Sequence, residues 1–279
     1  MTAPAWAGDA ATLNFIGFSN TGKYLAFQQY GVTDGKGAAY ATLYFVDVAD
    51  NRYQEKPIET SEDSKSGEPG GESAQETVRQ LNLDQAKAQL KSLNIVPGNA
   101  GTQVISHLTY DTDINPHVVH FTLEPRIGIT APKPEATDTK TVATDAKAVP
   151  TDTKTVATDT QTTADAKTGT VTTAGIEPKT EIIYEVSLEE HQAKSEADCG
   201  GPPAEVAGFT LTLQRSSDTK PKILQYDSKI PKSRGCPLSY HIQDVYTYKD
   251  KYLAVFIHVY TAGFEGKNMR YIVVTGTLD

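Results

Sequence analysis

Apolar residues recur along this chain with a period of two, and in several stretches they fill both phases of that period. In residues 12–18, Leu13 and Phe15 share one face of a strand while Ile16 and Phe18 share the other. Residues 23–30 and 42–48 follow the same pattern. A strand that is apolar on both faces has to be covered on both, which predicts stacked blades or a sandwich. The turns Ser19-Asn20-Thr21-Gly22 and Thr33-Asp34-Gly35 supply residues that tolerate the positive φ of hairpins. Further strands are predicted at 102–110, 117–124, 180–188, 207–215, 221–226, 239–248, 252–260 and 269–277, about eleven in all.

Two segments break the strand pattern. From Pro57 the chain is acidic and rich in Ser, Gly and Pro, with seven Asp/Glu against three Lys/Arg between Arg52 and Glu76, which predicts a loop over 57–72. One helix is predicted over 74–93. Ser73 and Glu76 form a capping box, Val78, Leu81, Ala86, Leu90 and Leu93 make an apolar stripe with a slip at Asn82, and Pro97-Gly98 ends the run. Residues 131–175 hold 15 Thr and almost no large apolar side chain. Within them Thr137 to Asp145 recurs at Thr151 to Asp159, a 14-residue period. Such a segment cannot bury enough surface to offset its conformational entropy, which predicts a disordered insert in one β-rich domain spanning 8–279.

One meander occurs twice. Lys23-Tyr24-Leu25-Ala26 follows an aromatic strand and a tight turn, and leads through a Gly-rich loop into Leu43-Tyr44-Phe45-Val46. Lys251-Tyr252-Leu253-Ala254 does the same after the turn Lys249-Asp250, leading into Tyr271-Ile272-Val273-Val274. The repeat predicts an all-β, mostly antiparallel fold of small propeller-like meanders, with a two-sheet sandwich as the alternative.

Charge and cysteines narrow the setting. The net charge is -9, which argues against a nucleic-acid backbone as partner. No stretch approaches the roughly 20 apolar residues of a membrane span. Thr2-Ala3-Pro4-Ala5-Trp6-Ala7-Gly8 has the small-x-small pattern of a signal-peptidase site, with cleavage expected after Ala7, so residues 1–7 read as the tail of a leader. Export to the periplasm of a Gram-negative envelope, or secretion, follows. Cys199 and Cys236 are the only cysteines; in an exported protein they are expected to pair, two buried free thiols being the alternative.

Gly17-Phe18-Ser19-Asn20-Thr21-Gly22-Lys23-Tyr24-Leu25-Ala26-Phe27 resembles a blade of TolB-like propellers, in which a Ser-Pro-Asp-Gly turn precedes a Lys-x-x-Ala-Phe strand. A broader resemblance rests on Gly8-Asp9-Ala10-Ala11, Phe15-Ile16-Gly17-Phe18-Ser19, Ser233-Arg234-Gly235-Cys236-Pro237 and Gly263-Phe264-Glu265-Gly266. Together these are similar to a predicted secreted protein family of unknown function (domain of unknown function 2259). That resemblance implies export and a signal peptide ending just before Gly8. It implies no activity.

The chemistry signals are sparse. The chain has no Gly-x-Ser-x-Gly elbow, Walker loop or Gly-x-Gly-x-x-Gly. Asp111-Thr112-Asp113-Ile114-Asn115 begins like a calcium loop, but Pro116 stands where Gly is needed and Thr122 where a bidentate Glu belongs, so an Asx-turn is expected. His107, Asp113, His117 and His120 are candidate zinc ligands, although His117 and His120 fall on opposite faces of a strand. Glu189-Glu190-His191 places carboxylates beside an imidazole, at a position where solvated charges are the ordinary reading. No catalytic residue, metal or cofactor is assigned.

The binding candidates are Asp34, Arg234, Glu265 and Arg270, held in or beside rigid turns, against the structural reading that Arg234 donates to loop carbonyls and Glu265 pairs with Arg270. The 14 tyrosines could line a groove, or simply clothe strands. The expectation is a non-enzymatic exported binding or scaffold protein whose partner is an envelope protein or a small ligand. An envelope hydrolase using carboxylates and a periplasmic metal-binding protein are the alternatives.

Overall fold

Fourteen strand segments and one helix form three open, mostly antiparallel sheets among the described residues of the computed structural model, which are 8–33, 37–54, 56–62, 72–107, 115–123, 182–200, 205–264 and 266–279. All of them belong to one unit, residues 1–123 with 181–279; the second unit, 124–180, lies outside them. The expected leader remnant (1–7) and the Thr-rich insert (131–175) also lie outside the described residues.

The N-terminal sheet runs β1 (Thr12–Phe18), β2 (Tyr24–Val32), β3 (Ala39–Asp47), with β4 (Arg52–Tyr53) and β5 (Ile58–Glu62) both pairing β3. The helix α1 (Glu72–Ser92) follows. The middle sheet has the order β14 (Lys267–Thr277), β13 (Tyr252–Ala262), β12 (Pro237–Tyr248), β6 (Thr102–Ser106). In the third sheet, β10 (Lys222–Tyr226), β9 (Glu205–Arg215) and β8 (Ile183–Ser195) continue to β11 (Lys229–Ile230), and β7 (Val118–Thr122) also pairs β8. Among the described strands only the short β11 runs parallel to its neighbour.

The two-faced strands explain the stacking. Along β13, Leu253, Val255, Ile257 and Val259 join the cluster shared with Val186, Phe209 and Leu211 of the third sheet. The alternating Ala254 and Phe256 join Phe18, Leu25 and Phe27 of the N-terminal sheet. The middle sheet is therefore covered on both faces. The N-terminal sheet is also covered twice, because Ala26, Leu43 and Phe45 turn away from it onto Ala86 and Leu90 of α1. The layers run helix, N-terminal sheet, middle sheet, third sheet.

The propeller expectation is corrected here. The sheets stay open, and no ring of blades forms among the described residues; the two Lys-Tyr-Leu-Ala meanders stack face to face through Phe27 and Phe256, whose centroids are 5.4 Å apart. The alternative of two sheets is corrected to three. The repeat still has structural meaning, because Leu25 faces the middle sheet and Leu253 faces the third, so each copy turns its leucine to the next layer. The copies also touch directly. The Tyr248 hydroxyl donates to Asn20 O at 3.2 Å, and Gly22, with φ of 78°, sits so close beneath Tyr252 that a Cβ would overlap the ring.

Three local expectations change. The acidic stretch over 57–72 contains β5, because β3 offers a free edge and Ile58 to Glu62 pair along it. The helix begins at Glu72, so Ser73 lies inside it: Ser73 O accepts from Thr77 Oγ1 at 2.8 Å, and Glu76 pairs with Arg79 rather than closing a capping box. The buried stripe is Val78, Asn82, Ala86 and Leu90, whereas Leu81 is 50% exposed. Asn82 takes the inward place because its polar atoms are matched there. It donates to Ile58 O at 2.8 Å and Thr60 Oγ1 at 3.0 Å, and accepts from Gln28 Nε2 at 2.8 Å.

Candidate functional site

The sequence candidates do not converge on one site. Asp34 and Glu265 lie outside the described residues. Arg234 is the last residue of the short 3-10 turn Lys232–Arg234, whose end at Gly235 has φ of 68°. It forms an ion pair with Asp227 and lies over the rings of Phe209 (5.5 Å) and Tyr240 (6.0 Å). The carboxylate of Asp227 accepts from Gln225 Nε2 at 2.9 Å as well, so this pair is a buried, matched network. Arg234 also borders a cavity of about 480 Å³ beside Tyr44, Tyr53, Glu59, Gln225 and Tyr271.

Arg270 pairs with Asp9. It also donates to the carbonyls of Asp9 (3.1 Å) and Met269 (3.0 Å) and stacks over Tyr40 at 4.7 Å. The Tyr40 hydroxyl donates to Asp9 Oδ1 at 3.1 Å. This gives the Gly8-Asp9-Ala10-Ala11 motif a structural use: it ties the start of the described chain along β14, where Ala11 N–H donates to Met269 O and Met269 N–H to Asp9 O.

The histidines disperse. His107 bonds Ile242 O at 3.0 Å, His117 bonds Tyr240 O at 3.0 Å, and His120 meets Glu185 at 2.9 Å on the exposed face of β7 and β8. Asp113 lies outside the described residues, and among those described no group of three His, Cys, Asp or Glu is placed to hold a metal ion. Asn115 Oδ1 accepts from His117 N–H at 2.9 Å, an Asx-turn as expected. Glu190 accepts from Tyr240 N–H, and His191 bonds Asp227 O at 3.0 Å, so both support the backbone. Cys199 and Cys236 form a disulfide.

The strongest site comes from residues the sequence did not single out. A cavity of about 630 Å³ lies between the Gly8–Ala11 strap, β1 and the middle sheet. Tyr246, Tyr260 and Tyr271 come from three neighbouring strands of that sheet, and Leu13 and Phe15 face them from β1. Asp244 is the carboxyl in its wall. Strand register explains the convergence: a bulge between Ile242 and Asp244 shifts phase, so Tyr240, Ile242 and Val245 face the third sheet while Asp244 and Tyr246 face the cavity.

The cavity is electrostatically unusual. Burial raises the Asp244 carboxyl above its ordinary value, against hydrogen bonds from Ser106 and Gln103 and the nearby His107. Burial pushes Tyr246 up to about 12, and raises Tyr260 and Tyr271 too. Behind Tyr260 and Tyr271 sits His258, 1% exposed, its ring centroid 5.9 Å and 4.7 Å from theirs. Its Nε2 has no hydrogen-bond partner among the described residues. Burial, with a contribution from His241, holds this imidazole down at about 4, so it is neutral at ordinary pH. The available signal in the sequence was His258, a lone imidazole in the apolar run of β13; Asp244 stands in β12 among other polar residues, Ser239, His241, Gln243 and Thr247, and gave no such signal.

Residues 26–277 match the family described as Predicted secreted protein (DUF2259), and the chain belongs to that family. No curated protein and no solved structure is significantly similar to it.

Proposed function

We propose that this member of a predicted secreted family is an exported, non-enzymatic protein that binds a small ligand in the tyrosine-walled cavity, in the periplasm of a Gram-negative envelope. The observation that carries the reading is the cavity itself. At about 630 Å³ it falls in the range of small-molecule sites, and it combines apolar walls with a few polar residues, Asp244, Lys267 and three tyrosines. The covered middle sheet gives those groups a rigid platform, which lowers the entropy lost on binding.

A hydrolase using paired carboxylates is less well supported, since Asp244 is the single carboxyl among the described lining residues. A metal-binding role is less well supported because the histidines are engaged separately. The net charge of -9 opposes a nucleic-acid partner, and no helix among the described residues is long and apolar enough to cross a membrane.

Native mass spectrometry of the protein isolated from periplasm tests the proposal. The expected result is a non-covalent adduct that is lost when the cavity is filled by Ala11→Phe and kept in the surface variant Lys91→Ala. An adduct-free spectrum for the wild type, with the protein folded, would overturn it.

A further inference from the structure

The class of ligand follows from the buried carboxyls, and rests on the tyrosine cavity being a binding site. Four aspartates are buried among the described residues: Asp9, Asp47, Asp227 and Asp244. Burying a carboxylate is costly unless an opposite charge and hydrogen bonds compensate. Asp9 has Arg270 and Asp227 has Arg234. Asp47 closes a turn by accepting from Asp50 N–H at 3.3 Å, within electrostatic reach of Lys23.

Asp244 differs. Gln103 Nε2 donates to it at 2.9 Å, but no lysine or arginine among the described residues pairs with it. His107 is close enough to be felt, but its Nδ1 bonds Ile242 O at 3.0 Å and the ring makes no ion pair with Asp244 among the described residues. Lys267 lines the same cavity but at its far end. The register sets Asp244 opposite Phe256 and Lys267 opposite Ala262, six residues further along β13. That spacing is about 20 Å at the rise of a strand.

The walls beside Asp244 are aromatic. Tyr246 lies 4.7 Å from Phe15 and 5.7 Å from Phe256 by ring centroid, and Tyr271 is near enough for the Asp244 charge to raise it. Aromatic faces carry negative potential, and together with a carboxylate they attract a weakly hydrated organic cation. A neutral ligand could stack on the same rings but would leave the buried carboxylate without a counter-charge.

We propose that the cavity recognises an alkylammonium group, with Asp244 as its counter-ion and Phe15, Tyr246 and Tyr271 as the aromatic walls around it. The remaining length of the cavity, toward Met269 and Lys267, would hold the uncharged or anionic part of the molecule.

The test compares choline with its neutral carbon isostere, 3,3-dimethylbutan-1-ol, by isothermal titration calorimetry on the full chain. Choline is expected to bind at least about tenfold more tightly, the scale of one charge-assisted contact. Asp244→Asn should abolish that preference. Tyr246→Leu, a second variant in case the first misfolds, should weaken choline more than the isostere. Equal affinities for the two probes, or an unchanged preference in Asp244→Asn, would overturn the ammonium assignment and leave the binding function intact. A neutral or anionic molecule found in the periplasmic protein, with neither probe bound, would do the same. No adduct and no binding of either probe would overturn both.

Discussion

Replacing Asp9 by Ala should loosen the strap that closes one wall of the tyrosine cavity. The Asp9 side chain is only 2% exposed and that of Arg270 is 32% exposed, so the pair lies between a surface bridge and a fully buried one. Removing one partner of a buried pair costs about 3–5 kcal/mol, because the survivor is left uncompensated. Here Arg270 can regain water through its exposed third and keeps its bonds to the carbonyls of Asp9 and Met269, which brings the loss to about 1–3 kcal/mol. The Tyr40 hydroxyl also loses its acceptor, adding about 1 kcal/mol. The sum is about 2–4 kcal/mol, which lowers Tm by roughly 4–16 °C for a domain of this size. Urea unfolding and calorimetry of Asp9→Ala, Arg270→Met and the double variant would measure it. The double variant should lose less than the sum of the singles, by more than about 1 kcal/mol. A single-variant loss below about 1 kcal/mol, or no coupling in the cycle, would refute the claim that this contact anchors the strap.

Leu25→Ala and Leu253→Ala should each cost about 2–5 kcal/mol, since both leucines are fully buried at successive sheet interfaces; urea midpoints would show it, and a loss under about 1 kcal/mol at either would contradict the stacking. Stability should fall on acidification through His258. Its folded value of about 4 lies below the ordinary 6.5, so the unfolded chain takes up a proton first as pH drops between those values. About 3 kcal/mol is then lost by pH 4 and none above pH 7. The acid slope of wild type should exceed that of His258→Phe, and equal slopes would remove the assignment. Asp244→Asn should raise Tm at pH 7, because a carboxyl whose value is raised by burial opposes folding once ionised; a lower Tm at pH 7 would contradict it. Replacing both cysteines by Ala should cost about 4 kcal/mol for a loop of 37 residues, read from the urea midpoint, and no loss would show that the link leaves the unfolded chain unconstrained.

The sequence by itself determined the features that depend on near neighbours. Two-phase apolar strands announced sheets covered on both faces, the Ser-Asn-Thr-Gly and Lys-Asp turns placed two hairpins, and the helix showed by its period. Where local signals competed, the tertiary structure decided. Leu81 and Asn82 differ by one position on α1, and the inward place went to Asn82 because Gln28, Ile58 and Thr60 offered it matched partners. The repeat of Lys-Tyr-Leu-Ala revealed equivalent meanders, but ring or stack depended on which faces met, and that is a sum of contacts between residues more than 200 apart. The candidate site was hidden for the same reason. Arg270 found Asp9 at 261 residues' separation, and the cavity formed only when a bulge in β12 turned Asp244 and Tyr246 toward Tyr260, Tyr271 and β1. Periodicity records which face a side chain occupies; it carries no record of what the fold will bring opposite that face.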